Sequence, residues 1–256
     1  MQSHPAFEPP ADNSHLWRYM DFVKYMSLLT TSNLHFSRSD LLGDPFEGAL
    51  PNVVARQRDL ARQSNRDVTV NAWNVTHYGP HLRFRNYVSC WYESEYESAA
   101  MWNLYGGLSG AVAISTTFER ISQALPSAHD PFSSISPPFA GRVKYIDYDT
   151  GQFPTNNGFI PFLYKRKSFE HEREVRIIFS SVARGEEDPY ERDNAVLARS
   201  QPRAMSLPVD LSLLIENVFV HPGSDEWFRR LVESVSHKYG VKVHARQSKI
   251  ADDPVY

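Results

Sequence analysis

The chain has one cysteine, Cys90, among its 256 residues. No internal disulfide can form and no cage of several thiolates can hold zinc, so the expected compartment is the cytoplasm. An excess of basic charge is also lacking: Lys and Arg number 27 against 30 Asp and Glu, a net charge of −3. Nonspecific duplex binding through phosphates is therefore not expected as the main activity. No apolar run approaches the length of a membrane span, and Met1 to Ser14 is polar and proline-bearing, unlike a signal peptide. Glycine-rich phosphate loops, a Gly-x-Ser-x-Gly elbow, internal repeats and low-complexity blocks are missing. The ten histidines are scattered, and none shows a ligand spacing on a credible helix, so no zinc site is expected.

What remains is ordinary for a globular protein, 41% hydrophobic and 22% charged, with 13% aromatic residues. The length suits one domain with a full core. Strand patterns at Leu16–Met20, Leu34–Ser37, Tyr87–Trp91, Ala111–Thr116, Val143–Tyr148, Phe169–Val182, Val218–Val220 and Val241–Ala245 alternate with helical ones. Helices are expected from Phe22 to Leu29 behind an Asp21 cap, after Pro51, from Phe118 to Leu125, and from Asp225 to Tyr239 behind Ser224. Residues 65–86 read as an irregular segment, Pro126 to Gly141 as a surface loop and Gly185 to Pro202 as charged and exposed, and no Pro/Gly linker divides the chain into balanced halves. The expectation is a single α+β domain over residues 15–250, with a mixed or mostly antiparallel sheet and flanking helices, a loose lead-in 1–14 and a tail 251–256.

The densest stretch is Cys90 to Tyr105, which holds two tryptophans, three tyrosines and three glutamates. Ser94 and Glu97 have the capping-box spacing, and Ser98, Met101, Trp102 and Tyr105 follow on one helical face. Two readings stand: a buried amphipathic helix, or a polar turn opening into a cleft with an aromatic wall. Glu170-His171-Glu172-Arg173-Glu174-Val175-Arg176 is the most informative charged run. On a strand, Val175, Ile177 and Phe179 face a core, while Glu170, Glu172, Glu174 and Arg176 share the other face. Carboxylates so aligned repel one another unless cations or a ligand compensate. The alternatives are a solvated face and a cleft wall. Arg18, set among aromatics, needs an anion, supplied by an ion pair with Asp44 or Glu174 or by a phosphate. Ser115-Thr116-Thr117 ends a strand, where hydroxyls cap the next helix or hold a sugar. Asp44-Pro45-Phe46-Glu47-Gly48 reads as turn chemistry or a carboxylate site.

Several ordered blocks resemble the bacterial Domain of Unknown Function 2971 family. They are Leu16-Trp17-Arg18-Tyr19, Leu34–Arg38, Asp44–Gly48, Cys90–Glu93 with Glu97–Tyr105, and Tyr164–Arg166 with Phe169–Arg176. That resemblance brings no established activity. A second one is narrower. Arginine on a first strand, Ser-Thr-Thr ending a middle strand and Glu-x-Glu on a later one are similar to Arg-Ser-Glu ADP-ribosyltransferases. It implies NAD as substrate. Arg18 would bind phosphate and ribose, Ser115 would order the nicotinamide-side ribose, Glu174 would support an oxocarbenium-like transition state, and Glu172 would position the acceptor. Tyr19, Thr116, Trp102 and Glu97 complete the expected binding set. The expected activity is an ADP-ribosyltransferase-like enzyme, a bacterial toxin or antiphage defence effector, with an unknown protein or nucleic-acid acceptor and no membrane. The alternatives are a non-catalytic ligand-binding or sensor module using the same cleft, and a metal-dependent nuclease or hydrolase on Asp44, Glu47, Glu172 and Glu174.

Overall fold

A computed structural model of the chain describes residues 1–63, 80–106, 110–125, 135–154, 157–181 and 193–251. The N-terminal half runs β1 (His15–Asp21), α1 (Phe22–Thr31), β2 (Asn33–Arg38), α2 (Asn52–Gln63), β3 (Asn86–Glu93), α3 (Ala99–Met101), β4 (Ala111–Thr117) and α4 (Phe118–Ala124). Then come β5 (Phe139–Arg142), β6 (Lys144–Ile146), β7 (Tyr164–Arg166), β8 (Glu174–Ser180), α5 (Asn194–Ser200), β9 (Ala204–Pro208), α6 (Leu211–Leu214), β10 (Asn217–Val220), α7 (Glu226–Lys238) and β11 (Ala245–Gln247). This is a mixed α/β single domain on a mostly antiparallel sheet with flanking helices. Among the described residues, no helix is long and apolar enough to cross a membrane.

Among the described residues, nine strands form the main sheet, and β3 is its hub. One edge of β3 is paired with β8 from Asn86↔Ser180 to Tyr92↔Glu174. The other edge is shared. β2 takes one end, at Ser37↔Val88 and Arg38↔Tyr87, and β1 takes the other, at Leu16↔Glu93 and Trp17↔Tyr92. Between them Ser89, Cys90 and Trp91 have no ladder partner on that edge among the described residues, so the sheet splits into two halves. One half is β11-β10-β4-β1; the other holds β9, β2, β3, β8 and β5. Helix α1 links β1 to β2 across the opening. Asp21 starts it by accepting from the Lys24 amide, and Ser32, in the left-handed region at φ 49°, stops it.

Period-two alternation divides the strand side chains between two layers. Leu16, Met20, Trp91, Ile114, Val175, Ile177 and Phe179 join the large core under α1 and α7. Phe22 meets Phe228 at 5.3 Å, and the Tyr25 hydroxyl bonds Ser236 at 2.7 Å, pinning the two helices. The opposite face carries Trp17, Tyr19, Tyr92, Met101, Trp102, Ala111 and Ala113. Residues 1–14 form no helix or strand, but Phe7 is buried against Phe139, so this segment is tied down rather than loose.

The structure corrects three local expectations. The helix after β3 starts at Ser98, whose hydroxyl accepts from the Met101 amide; the Ser94 hydroxyl accepts from the Tyr96 amide instead of capping the helix. The expected strand from Phe169 starts at Glu174 instead, because Lys167–Glu172 coils into a 3₁₀ turn and Arg173 turns left-handed at φ 38°. Asp225, not Ser224, precedes α7. The described part of the segment expected to be charged and exposed, Gly185 to Pro202, folds as α5 and is exposed except at Leu197 and Gln201. Residues 185–192 of that segment, the tail from 252, and most of the expected irregular segment 65–86 and loop 126–141 lie outside the described residues.

Candidate functional site

The opening in the sheet is a cavity of about 880 Å³, within the usual range of about 300–1,000 Å³ for small-molecule sites. Its lining comes from both faces. Lys24, Leu28 and Leu34 lie on the α1 side, and Tyr92, Cys90, Glu172 and Glu174 lie on the other. Trp17, Tyr19, Trp91 and Tyr105 supply aromatic wall.

Arg18 stands at the opening. Strand alternation sends it to the α1 side with Leu16 and Met20, away from Trp17 and Tyr19. Its Nη1 donates to Ser89 Oγ at 2.7 Å and its Nη2 to the His35 carbonyl at 3.2 Å. Neither candidate carboxylate reaches it. Asp44 is held bidentately by Arg166, at 2.8 and 3.1 Å, and Glu174 is held by other cations. Burial lowers the Arg18 pKa to about 10, because among the described residues no carboxylate offsets the desolvation.

The other end is a buried ion cluster. Glu174 Oε1 accepts from Lys165 Nζ at 2.6 Å, and its Oε2 accepts from Arg176 Nε at 2.7 Å. Arg176 donates two further bonds of 2.7 Å to Glu47 and one of 2.8 Å to the Phe162 carbonyl. Lys165 also donates to Glu172 at 2.5 Å, and Tyr105 donates to the same carboxylate at 3.3 Å. Strand pairing explains part of this convergence: Tyr92↔Glu174 and Cys90↔Arg176 put both charged β8 side chains on the Tyr92 face. The 3₁₀ turn returns Glu172 beside them, while Glu170 remains exposed. The repulsion expected along a straight strand is thus absent, and two cations are interleaved among three carboxylates.

This count leaves one carboxylate in excess, and the protonation pattern follows. Burial pushes Glu174 up, but Arg176 and Lys165 outweigh it and hold Glu174 well below the ordinary carboxylate range. Burial pushes Lys165 down, yet Glu174 and Glu172 keep it above its ordinary value. Glu172 is pushed up to about 7, first by burial and then by neighbouring Glu174, with Lys165 only partly compensating. A carboxyl poised there suits proton transfer near neutrality. The sign of the stability effect is fixed. The folded value lies above the ordinary 4.5, so the contribution of Glu172 is fully present below about pH 4.5 and is lost as pH rises through about 7. Denaturant midpoints at pH 5, 6, 7 and 8 are expected to fall less steeply in Glu172→Gln than in wild type. Parallel pH profiles would remove the assignment.

The turn bearing Asp44 and Glu47 is kept by Gly48, at φ +71°. A Cβ there would collide with the ring of Phe162, whose carbonyl binds Arg176. Gly48→Ala is expected to lower stability by more than the roughly 1 kcal/mol usual for an incompatible φ, and to loosen Glu47 from Arg176. A thermal melt unchanged from wild type would show that the turn tolerates the side chain.

Of the residues picked from sequence, Arg18, Tyr19, Glu172 and Glu174 line the cavity, and Ser115, Thr116, Trp102 and Glu97 do not. The Ser115 hydroxyl accepts from Asn217 Nδ2 at 3.1 Å between β4 and β10. Thr116 is fully buried opposite Leu16 in the β1–β4 ladder, and Thr117 caps α4 by accepting from the Arg120 amide. Glu97 accepts from the Trp102 indole at 3.1 Å and from the Lys249 amide at 2.9 Å, which makes it a clamp across the chain. Arg18 and Glu174 leave the sheet on opposite faces and share the cavity because it passes through the split. Lys165, Arg176 and Tyr105 were not picked. The signal for Lys165 was present as a basic cluster, Lys165 to Lys167, opening seven residues before Glu172.

No protein-family model matches the chain, so the resemblance to the Domain of Unknown Function 2971 family finds no counterpart there. No curated protein matches it either. Among solved structures, it is similar to Thermus sp. 2.9 DarT in complex with ADP-ribosylated ssDNA, at 10% identity over 96% of this chain and 98% of that chain, with a TM-score of 0.39.

Proposed function

We propose that this chain is an NAD-consuming ADP-ribosyltransferase-like enzyme acting in the split-sheet cavity on a protein or nucleic-acid acceptor, as a toxin or defence effector does. One observation carries the reading: a guanidinium without a carboxylate partner among the described residues and a buried Glu172/Glu174 pair line one aromatic-walled cavity. NAD fits that donor set as substrate. Arg18 offers a planar fork to the diphosphate, and the aromatic wall offers faces to the bases. The ribose–nicotinamide C–N bond breaks with its electron pair leaving on nicotinamide, while the acceptor forms the new bond to the same ribose carbon. Glu174, locked between Lys165 and Arg176, is a preorganised charge near the developing cation. Glu172 takes the proton from the acceptor. Incubation with NAD, with and without cell extract as acceptor source, is expected to release nicotinamide. Absence of nicotinamide release under both conditions would sink the proposal.

The non-catalytic reading is favoured by a different observation. Both Glu174 oxygens are engaged by cations, and Ser115 stands apart from the cavity. Its signature is calorimetric NAD binding with no nicotinamide released. The metal-dependent reading has the weaker geometry: Lys165 and Arg176 sit where Glu47, Glu172 and Glu174 would gather a cation, and Arg166 holds Asp44.

A further inference from the structure

Trp91 carries a buried donor that no described residue satisfies. It lies mid-strand in β3, at the stretch that neither β1 nor β2 covers. Its side chain is 2% exposed and lines the cavity, and its Nε1–H has no hydrogen-bond partner among the described residues. A buried tryptophan indole usually finds an acceptor, and an orphaned buried donor destabilises the fold that contains it. Arg18 sits over the same ring, 5.7 Å from its centroid. Its guanidinium has five N–H groups, and the two recorded bonds, to Ser89 and His35, are to neutral oxygens. Two residues with unmet donor capacity, one ring and the guanidinium over it, therefore line the same cavity.

We propose that Trp91 Nε1–H and Arg18 together bind one oxyanion, a phosphate oxygen of a diphosphate, with the indole as a specific ligand rather than a packing ring. This deepens the transferase reading and rests on it only for the source of the diphosphate. A guanidinium alone accepts an anion from many directions. An added N–H from a rigid, packed ring selects one position and orientation.

The test uses Trp91→Phe, which keeps an aromatic ring in the core and deletes the N–H, with inorganic pyrophosphate as the calorimetric probe. A hydrogen bond to a charged oxygen is of a strength whose loss weakens binding about tenfold or more. Trp91→Phe is expected to lose at least that factor for pyrophosphate and to melt at or above the wild-type temperature once pyrophosphate is absent, because the orphan donor is gone. A merely structural tryptophan would give the reverse: a lower melting temperature and unchanged pyrophosphate affinity. If Trp91→Phe fails to fold, the wild-type protein answers the same question. One of its five indole N–H resonances is expected to move downfield as pyrophosphate is added. None moving at saturation, or no pyrophosphate binding at all, overturns the proposal. Trp91-dependent pyrophosphate binding in a protein that never releases nicotinamide would sink the transferase reading and leave the oxyanion site standing. Nicotinamide release unaffected by Trp91→Phe, with unchanged pyrophosphate affinity, would do the opposite.

Discussion

Glu174→Gln is expected to lower nicotinamide release about a hundredfold or more while leaving NAD affinity within a few-fold of wild type. The charge it stabilises exists only in the transition state, so its removal appears in turnover rather than in binding. The same change is expected to destabilise the protein by about 3–5 kcal/mol, the range for removing one partner from a buried ion cluster. The glutamine side chain would have one acceptor oxygen where the carboxylate has two, and its amide nitrogen would face either Lys165 or Arg176. The pattern of carboxylates in the sequence suggests relief of repulsion and a gain in stability; the interleaved cations reverse that sign. Urea denaturation and a nicotinamide assay on the soluble variant read the two effects separately. Wild-type turnover in a folded Glu174→Gln protein would remove Glu174 from the transition state, and wild-type stability would mean the cluster is open to water.

Arg176→Met is expected to cost stability on the same scale, about 3–5 kcal/mol. Arg176 is 1% exposed and is bonded to Glu47, Glu174 and the Phe162 carbonyl at once. Its removal strands two carboxylates and a backbone acceptor in a dry environment. Adding Glu47→Gln removes one of those stranded charges, so the double variant is expected to be less destabilised than the sum of the singles by more than about 1 kcal/mol, as for side chains in direct contact. Additive losses would show that Glu47 and Arg176 do not act as a unit. Since Arg176 also fixes Glu174, the surviving folded fraction is expected to show reduced turnover with little change in the pH at which activity is half-maximal, which belongs to Glu172.

Much of the architecture was legible residue by residue. Asp21 before an apolar three-and-four pattern announces α1, and the alternation from Glu174 to Phe179 announces a strand with one core face. These signals are local. They come from the period of the helix or strand and from short polar side chains that satisfy nearby backbone groups. A mostly antiparallel α+β domain follows from their order, and Arg18, Glu172 and Glu174 stand out because charged groups in apolar or crowded settings need partners.

Which partners they have is a matter of register across long separations. Glu47 meets Arg176 across 129 residues, and Asp44 meets Arg166 across 122. No local pattern encodes those distances. The left-handed residue Arg173 separates Glu172 from the strand, yet the turn brings it back beside Glu174. Ser115 was placed in the site by motif order alone, and the β4–β10 pairing commits it to Asn217 instead. By itself, the sequence determined the elements, their apolar faces and the charged residues in need of compensation. Tertiary structure alone decided that β1 and β2 part along β3, opening a cavity between Arg18 and the ion cluster. The physical reason is that strand periodicity states only which face a side chain takes, whereas the pairing of distant strands states what stands opposite it.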